Sequence, residues 1–475
     1  MRSHAGDTSR PDNVLSVVIP SEHWCLHHIL GDPTLEPRLN PADDTAEERE
    51  GYSFQALSSI RGDISDSLIE KFPQDWASWH SGRILATIVS TKSGSRSATF
   101  FYVHTIHPLL EVLGIEVGTF FQHQTYSEDT ITELSTDLYL RIARDPRRPP
   151  LHIVMLSGDG GIIDVVNVFY RNVQREAEIN KPVLTLLPFG TGNALSNSLN
   201  YTTDDTYGLR TMAQGKQRPL PVFRVTFSPG ARLVVNEGKD LRTIPTYDDE
   251  SSSQATRSGT PTIFGCVVCS WGLHAALVAD SDTAEYRKFG AERFMMAAKA
   301  LLYPKDSPGP HPFRGKISLL DPKTKSWDAI PRETHSYVVA TMVSQLEKGF
   351  MISPDSRKLD GQMRIVEMPP MSGEELMSII TGAYNGGTHV KDSRVGYKEI
   401  DGMMIEFDHD EDDKWRRVCV DGKIILIEKG GWVKVEKEER HLFDVVYKPD
   451  SHSDPGTVDE QDRIGDLHAI RVGHF

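Results

Sequence analysis

LSGDGGIIDVVN, residues 156–167, places an acidic side chain inside a glycine turn, directly after an apolar run and directly before a helical pattern. LHIVML (151–156) has the continuous apolar character of a buried strand, whereas Ile162, Ile163, Val166 and Phe169 or Tyr170 recur at helical spacing. The chain therefore reverses within Ser157–Gly161. Gly158, Gly160 and Gly161 permit positive φ and close approach of a ligand, and the amides at the helix start favour an anion. Asp159 is the anomaly in such a turn. A carboxylate beside a phosphate site costs energy unless it holds a metal ion, accepts a proton or orients the turn.

A second turn of the same kind follows about one strand–helix–strand unit later. PVLTLLP (182–188) is the strand, FGTGN (189–193) the loop, and ALSNSLN begins the next helix. Gly190 and Gly192 open the backbone, Thr191 supplies a hydroxyl and an amide, and Asn193 is placed to cap the helix while reaching a ligand. Two phosphate-facing loops at the carboxyl ends of adjacent parallel strands mark the place where open α/β sheets bind nucleotides. Neither loop fits the lysine-bearing Walker A pattern or the dinucleotide fingerprint, which leaves a nucleotide kinase site of another kind.

SGDGG with DVVN behind it, PFGTGNALSNSLN, SWGLHAALVADSDTAEYRKFGAERF (270–294) and VDGKIILIE (420–428) together resemble the diacylglycerol kinase catalytic-domain family. The sphingosine and ceramide kinase branch is the nearest, and the resemblance spans roughly residues 81–450. The first two motifs are shared with NAD kinases and phosphofructokinases; the third narrows the acceptor to a lipid. The resemblance implies an ATP- and Mg²⁺-dependent kinase that phosphorylates the primary hydroxyl of a sphingoid base. Diacylglycerol and ceramide are the alternative acceptors, and a catalytically weak nucleotide- or lipid-binding regulator is the alternative from another class.

By the same resemblance Asp159 is the base that takes the hydroxyl proton. Gly158, Gly160, Gly161, Gly190, Thr191, Gly192, Asn193, Ser93, Gly94 and Asp421 lie on the nucleotide, with Thr125, Arg287 and Arg293. Trp271, His274 and Phe294 line the acceptor. Aligning back from Tyr286 puts Asp280 at the headgroup, whereas aligning forward from Trp271 puts Ala276 or Val278 there. No residues are assigned to the metal. Two departures stand out: Ser90 and Thr91 replace an Asn-Pro pair in ILATIVSTKSGSRSA (84–98), and Lys423 stands where glutamate is usual.

The net charge of −15 argues against nucleic acid as a partner. It equally disfavours attraction to anionic lipid, so a transient membrane contact has to rest on a local apolar or basic patch. Four cysteines in 475 residues make no disulfide framework and suggest a reducing compartment; Cys266 and Cys269 have CxxC spacing but no second pair for zinc. With no apolar signal at MRSHAGDTSRPDN, the expectation is a cytoplasmic protein, peripheral at membranes. PTIFGCVVCSWGLHAALVA (261–279) nears membrane-spanning length, but its Gly, Ser, Trp and His interruptions point to a buried strand to about Cys269, then a turn and a substrate-lining segment. FDHDEDDKW (407–415) lacks the Gly and Glu of a calcium loop and is expected as a hairpin tip.

The predicted fold class is α/β plus all-β. ILATIV, EVGTFFQ, LHIVML and PVLTLLP alternate with helical patterns at YVHTIHPLLEVLG and TITELSTDLYLRIARD. They form an N-terminal parallel α/β nucleotide-binding domain over 81–222, NAD kinase/phosphofructokinase-like. FRVTFS, RLVVNE, GKISLL, YVVATMV, MRIVEM, VCVDGKIILIE and WVKVEKE predict a C-terminal antiparallel β-sandwich over 223–450 that takes the lipid, with a mobile loop at 238–260. Residues 1–80 read as a partly flexible N-terminal extension and 451–475 as a polar tail.

Overall fold

The computed structural model describes residues 82–107, 110, 121–125, 129–173, 178–203, 206–247, 259–289 and 292–449. The N-terminal extension, the polar tail, the later part of YVHTIHPLLEVLG and residues 248–258 of the expected mobile loop lie outside the described residues. Strands β1 (Ile84–Val89), β2 (Phe121–Gln124), β3 (Leu151–Ser157) and β4 (Val183–Pro188) pair in parallel in the order β2-β1-β3-β4. β3 is buried at all seven positions, which is why its sequence is continuously apolar rather than alternating. Helices α1 (Thr130–Leu138), α2 (Asp159–Asn172) and α3 (Ala194–Ser198) follow β2, β3 and β4. Strand β2 falls at the end of EVGTFFQ and just beyond it, a shift from the expected position.

Most of the remaining strands form two eight-stranded antiparallel sheets. β5 (Val222–Phe227) and β6 (Thr260–Gly265) belong to one; β7 (Val268–Gly272), β8 (Arg417–Val420) and β9 (Lys423–Leu426) belong to the other. Trp271 is fully buried between them, its ring 6.0 Å from that of Phe313 and 5.2 Å from that of Phe407. The fold is thus a parallel α/β sheet with an all-β sandwich. One strand, β10 (Asp444–Tyr447), lies in the stretch read as sandwich but pairs in parallel with β4 and antiparallel with the edge strand Lys216–Pro219, so the chain returns to the first sheet.

Three expectations change here. The apolar run ending in CVVCSW is two strands, β6 and β7, one for each sheet, broken at Cys266 and Val267. VCVDGKIILIE is a hairpin, because Asp421 and Gly422 take positive φ of 46° and 87° and turn the chain in two residues. Within 238–260, Asp240–Thr243 and Thr246–Tyr247 are strands paired to their neighbours rather than loop.

The break between β6 and β7 interrupts the ladder and exposes amide donors that need partners. The Asp421 carboxylate supplies them, accepting from the amides of Cys266 (2.7 Å), Val267 (3.1 Å) and Val268 (2.6 Å). Helix α2 is joined to the same region through buried Asn167. Its Oδ1 accepts from Phe264 N at 3.0 Å, and its Nδ2 donates to Phe264 O at 2.8 Å. Asn167→Leu fills similar space but leaves both backbone groups buried and unpaired, so we expect a loss of about 2–3 kcal/mol in denaturant unfolding. An unfolding midpoint equal to that of the wild type would show that Asn167 does not join the two parts.

Candidate active site

Three loops converge at the carboxyl ends of β1, β3 and β4. A Cβ on Gly190 would lie 2.3 Å from Gly158 Cα, and a Cβ on Gly94 would lie 2.5 Å from Phe189 O. Ser93 Oγ accepts a hydrogen bond from Gly158 N at 3.2 Å. The glycines at 94, 158 and 190 are therefore required by backbone packed on backbone. Of the loop glycines only Gly94 has positive φ (53°); Gly158 is extended, with φ −91° and ψ −176°, and α2 begins at Asp159 itself. The positive φ that Gly158, Gly160 and Gly161 permit is therefore not used. Gly161 packs α2 on α1, since a Cβ there would meet Ser157 Oγ at 2.7 Å and Ile131 Cδ1 at 3.0 Å. Gly160 faces open space, and a Cβ on Gly192 would come no closer than 3.4 Å to Leu346 O, so the room for a ligand is beside these two.

Asn193, expected to cap α3, has another task. In a left-handed conformation (φ 51°) its Oδ1 accepts from Gly190 N and its Nδ2 donates to Gly190 O, both at 2.7 Å, closing the FGTGN loop on itself. The first amides of α3 are taken instead by Asp159, whose carboxylate accepts from Ala194 N at 2.8 Å and Leu195 N at 3.0 Å. Asp159 thus ties the two glycine loops together. Its surroundings strip water from the carboxylate and raise its pKa, against the pull of those amides. Thr191 is half-buried at the loop tip.

Thr125 lies beside the first loop. Its Oγ1 accepts from Thr91 N at 3.1 Å, and Thr91 Oγ1 donates to Thr125 O at 2.7 Å, so Thr91 ties β1 to β2 where the family carries Asn-Pro. Exposed Lys92 and Arg96 on this loop supply cations that the motif reading did not select. Their signal was present in the sequence as two basic residues flanking Ser93–Gly94.

Other expected residues have partners that redefine them. Asp421 clamps the strand break, and burial, with the nearby Asp159 charge, pushes its pKa up to about 7, so its carboxylate is engaged by the amides of the break. Trp271 is core, donating Nε1–H to Trp415 O at 2.8 Å, rather than a pocket wall. His274, on α4 (Leu273–Ser281), shares a hydrogen bond with Ser270 Oγ at 2.7 Å, and burial holds its pKa down to about 4, leaving it neutral. Asp280 on the same helix is paired with Arg417 at 2.8 Å and Lys414 at 3.7 Å. Arg293 reaches Asp282 at 3.5 Å and lies over the half-buried Phe294 ring, both on α5 (Glu292–Leu302). Arg287 ends the short helix Ala284–Arg287.

A cavity of about 20 Å³ lined by Leu195, Leu199, Cys266, Met342 and Leu359 adjoins α3; it has room for a water, not an acyl chain. No helix among the described residues is long and apolar enough to cross a membrane.

Gly190→Ala forces a Cβ into the Gly158 backbone and is expected to lower stability by about 2 kcal/mol or more and to abolish ATP binding, read by thermal melting and calorimetric titration. Gly160→Ala, in open space, is expected to fold as well as the wild type and to weaken ATP binding only. Equal tolerance of both substitutions would mean that the loops do not meet.

Residues 85–225 match the family model of the diacylglycerol kinase catalytic domain. Sphingosine kinase 1 of Arabidopsis thaliana is 21% identical over 415 residues, covering 79% of this chain and 75% of the relative. Sphingosine kinase 1 of Homo sapiens is 23% identical over 249 residues, covering 45% of this chain and 56% of that protein's length. A solved structure from Bacillus anthracis, assigned as a diacylglycerol kinase, superposes with a TM-score of 0.51 at 14% identity over 77% of this chain and 95% of its own, which establishes the shared fold. Over residues 85–225 the chain thus carries the diacylglycerol kinase catalytic domain of ATP-dependent lipid kinases, and over most of its length it is similar to a sphingosine kinase.

Proposed function

We propose that the chain transfers the γ-phosphate of ATP to the primary hydroxyl of a sphingoid base, with Asp159 as the base. The observation that carries this reading is the Asp159 carboxylate at the junction of the glycine loops, with its pKa raised. A carboxylate has about four lone-pair sites, so accepting two amides leaves it able to accept the proton of an incoming alcohol. A base with raised affinity for protons takes that proton more readily, provided it is ionised when the alcohol arrives.

Among the described residues no group of three or more His, Cys, Asp or Glu converges on a metal position. Mg²⁺ would then be held by the triphosphate with Asp159 as the nearest carboxylate, which suits an ion that binds through few carboxylates and substrate phosphates. Bound there, it would neutralise phosphate charge. Exposed Lys92 and Arg96 on the first loop would add to that neutralisation, and the open side of Gly160 would let the phosphates approach the start of α2. Exposed Phe289, Met295, Met296 and Tyr303 support a transient membrane contact by a protein resident in the cytoplasm.

The test is label transfer from ATP to a sphingoid base, ceramide, diacylglycerol and NAD, with Asp159→Asn in parallel. Expected are labelled sphingoid base, a loss of about 10²–10⁴-fold in the variant, and an acid limb in the rate profile above the ordinary carboxylate range. Unchanged transfer by Asp159→Asn would remove it as the base, and label on another acceptor would reassign the substrate. ATP binding without any labelled lipid would favour a regulator.

A further inference from the structure

Lys423 carries a positive charge where the family resemblance leads one to expect a negative one, and the structure gives that charge a partner. Its Nζ lies 2.6 Å from Asp164 Oδ1, the two side chains 25% and 19% exposed. Asp164 is on α2, the helix that starts at Asp159; Lys423 starts β9, immediately after the Asp421–Gly422 turn. Asn167 lies three positions after Asp164 and so on the same face of α2. It is bonded to Phe264, at the near side of the strand break that Asp421 clamps. Two side chains on one helix face are thus anchored to the two backbone segments that meet at that break. A helix is stiff over the turn and a half separating Asp164 from Asp159, so a shift at Asp164 moves the carboxylate that holds Ala194 and Leu195. Removing one partner of this part-exposed pair releases the tie between helix and hairpin.

We propose that Lys423 is a positioning residue: through Asp164 it fixes the start of α2, and with it Asp159, against the sandwich. The consequence for phosphoryl transfer rests on the kinase reading above. Lys423 acts through Asp164 and not on the nucleotide, so the charge change at this position alters the placing of Asp159 rather than ATP affinity.

A charge-swap cycle tests this. Lys423→Glu sets two carboxylates face to face, Asp164→Lys two ammonium groups, and the double variant restores an opposite pair. Each variant is assayed for kcat, for the KM of ATP, and for amide hydrogen exchange across 190–199, which contains the two amides bonded to Asp159. Each single variant is expected to lower kcat by about ten- to a hundredfold with the KM of ATP changed by less than about twofold. Exchange at Ala194 and Leu195 is expected to quicken in each single variant, and the double variant to recover most of both losses. Lys423→Met, which unlatches the helix without repulsion, gives the same pattern more mildly and replaces any charge-reversed chain that does not fold. Wild-type kcat and exchange in the singles, or a double variant no better than the worse single, would overturn the proposal. If the wild type phosphorylates no lipid, the kinase reading fails, and the exchange at 194 and 195 still decides whether Lys423 places Asp159.

Discussion

The Asp159 carboxylate reaching across to the amides of Ala194 and Leu195 is the contact on which the site depends. A short helix leaves its first amides without intrahelical partners, and a desolvated carboxylate needs donors. Each settles the other's requirement, and in doing so they hold the loop after β3 against the loop after β4. Steric facts agree with this closure: Gly158 and Gly190 approach so closely that neither position has room for a side chain. The same carboxylate is the group best placed to take a proton from an alcohol. One residue therefore both builds the site and is proposed to act in it, which makes its removal a structural as well as a chemical change.

Among the polar contacts that join the sandwich to this site, one buried cluster lies at the break between β6 and β7. Where the apolar run from Thr260 to Gly272 leaves one sheet for the other, three amides lose their ladder partners and Asp421 receives them. Asn167 binds the backbone just before that break, and Lys423 reaches Asp164 from the hairpin that carries Asp421. Sheet crossing, hairpin turn and helix α2 thus meet within a few residues of one another. β10 adds a further tie by pairing in parallel with β4 in the first sheet.

Much of this was legible in the sequence. The buried parallel strands were visible as unbroken apolar runs, α2 as a helical period after a glycine turn, and the sandwich as short alternating strands. The family motifs led to the loops that the structure brings together. What escaped the reading were effects that depend on partners distant in sequence. Nothing local shows that glycines 158 and 190 pack on each other, some thirty residues apart, and Asn193 looked like a cap because nothing local shows that Asp159 takes that role. Trp271 looked like a pocket wall, since a motif tryptophan and a core tryptophan are the same letter; only the opposing sheet's Phe313 and Phe407 distinguish them. The Asp421–Gly422 pair did carry a local hairpin signal, which the continuity of the apolar residues around it concealed.

The most direct measurement follows the amide resonances of Ala194 and Leu195 through a pH titration of protein labelled with ¹⁵N at alanine and leucine. Both are expected to shift together, with a midpoint above the ordinary carboxylate range, and to lose that titration in Asp159→Asn. Resonances that stay flat across the acid range, or that titrate unchanged without Asp159, would contradict the bridge between the two loops.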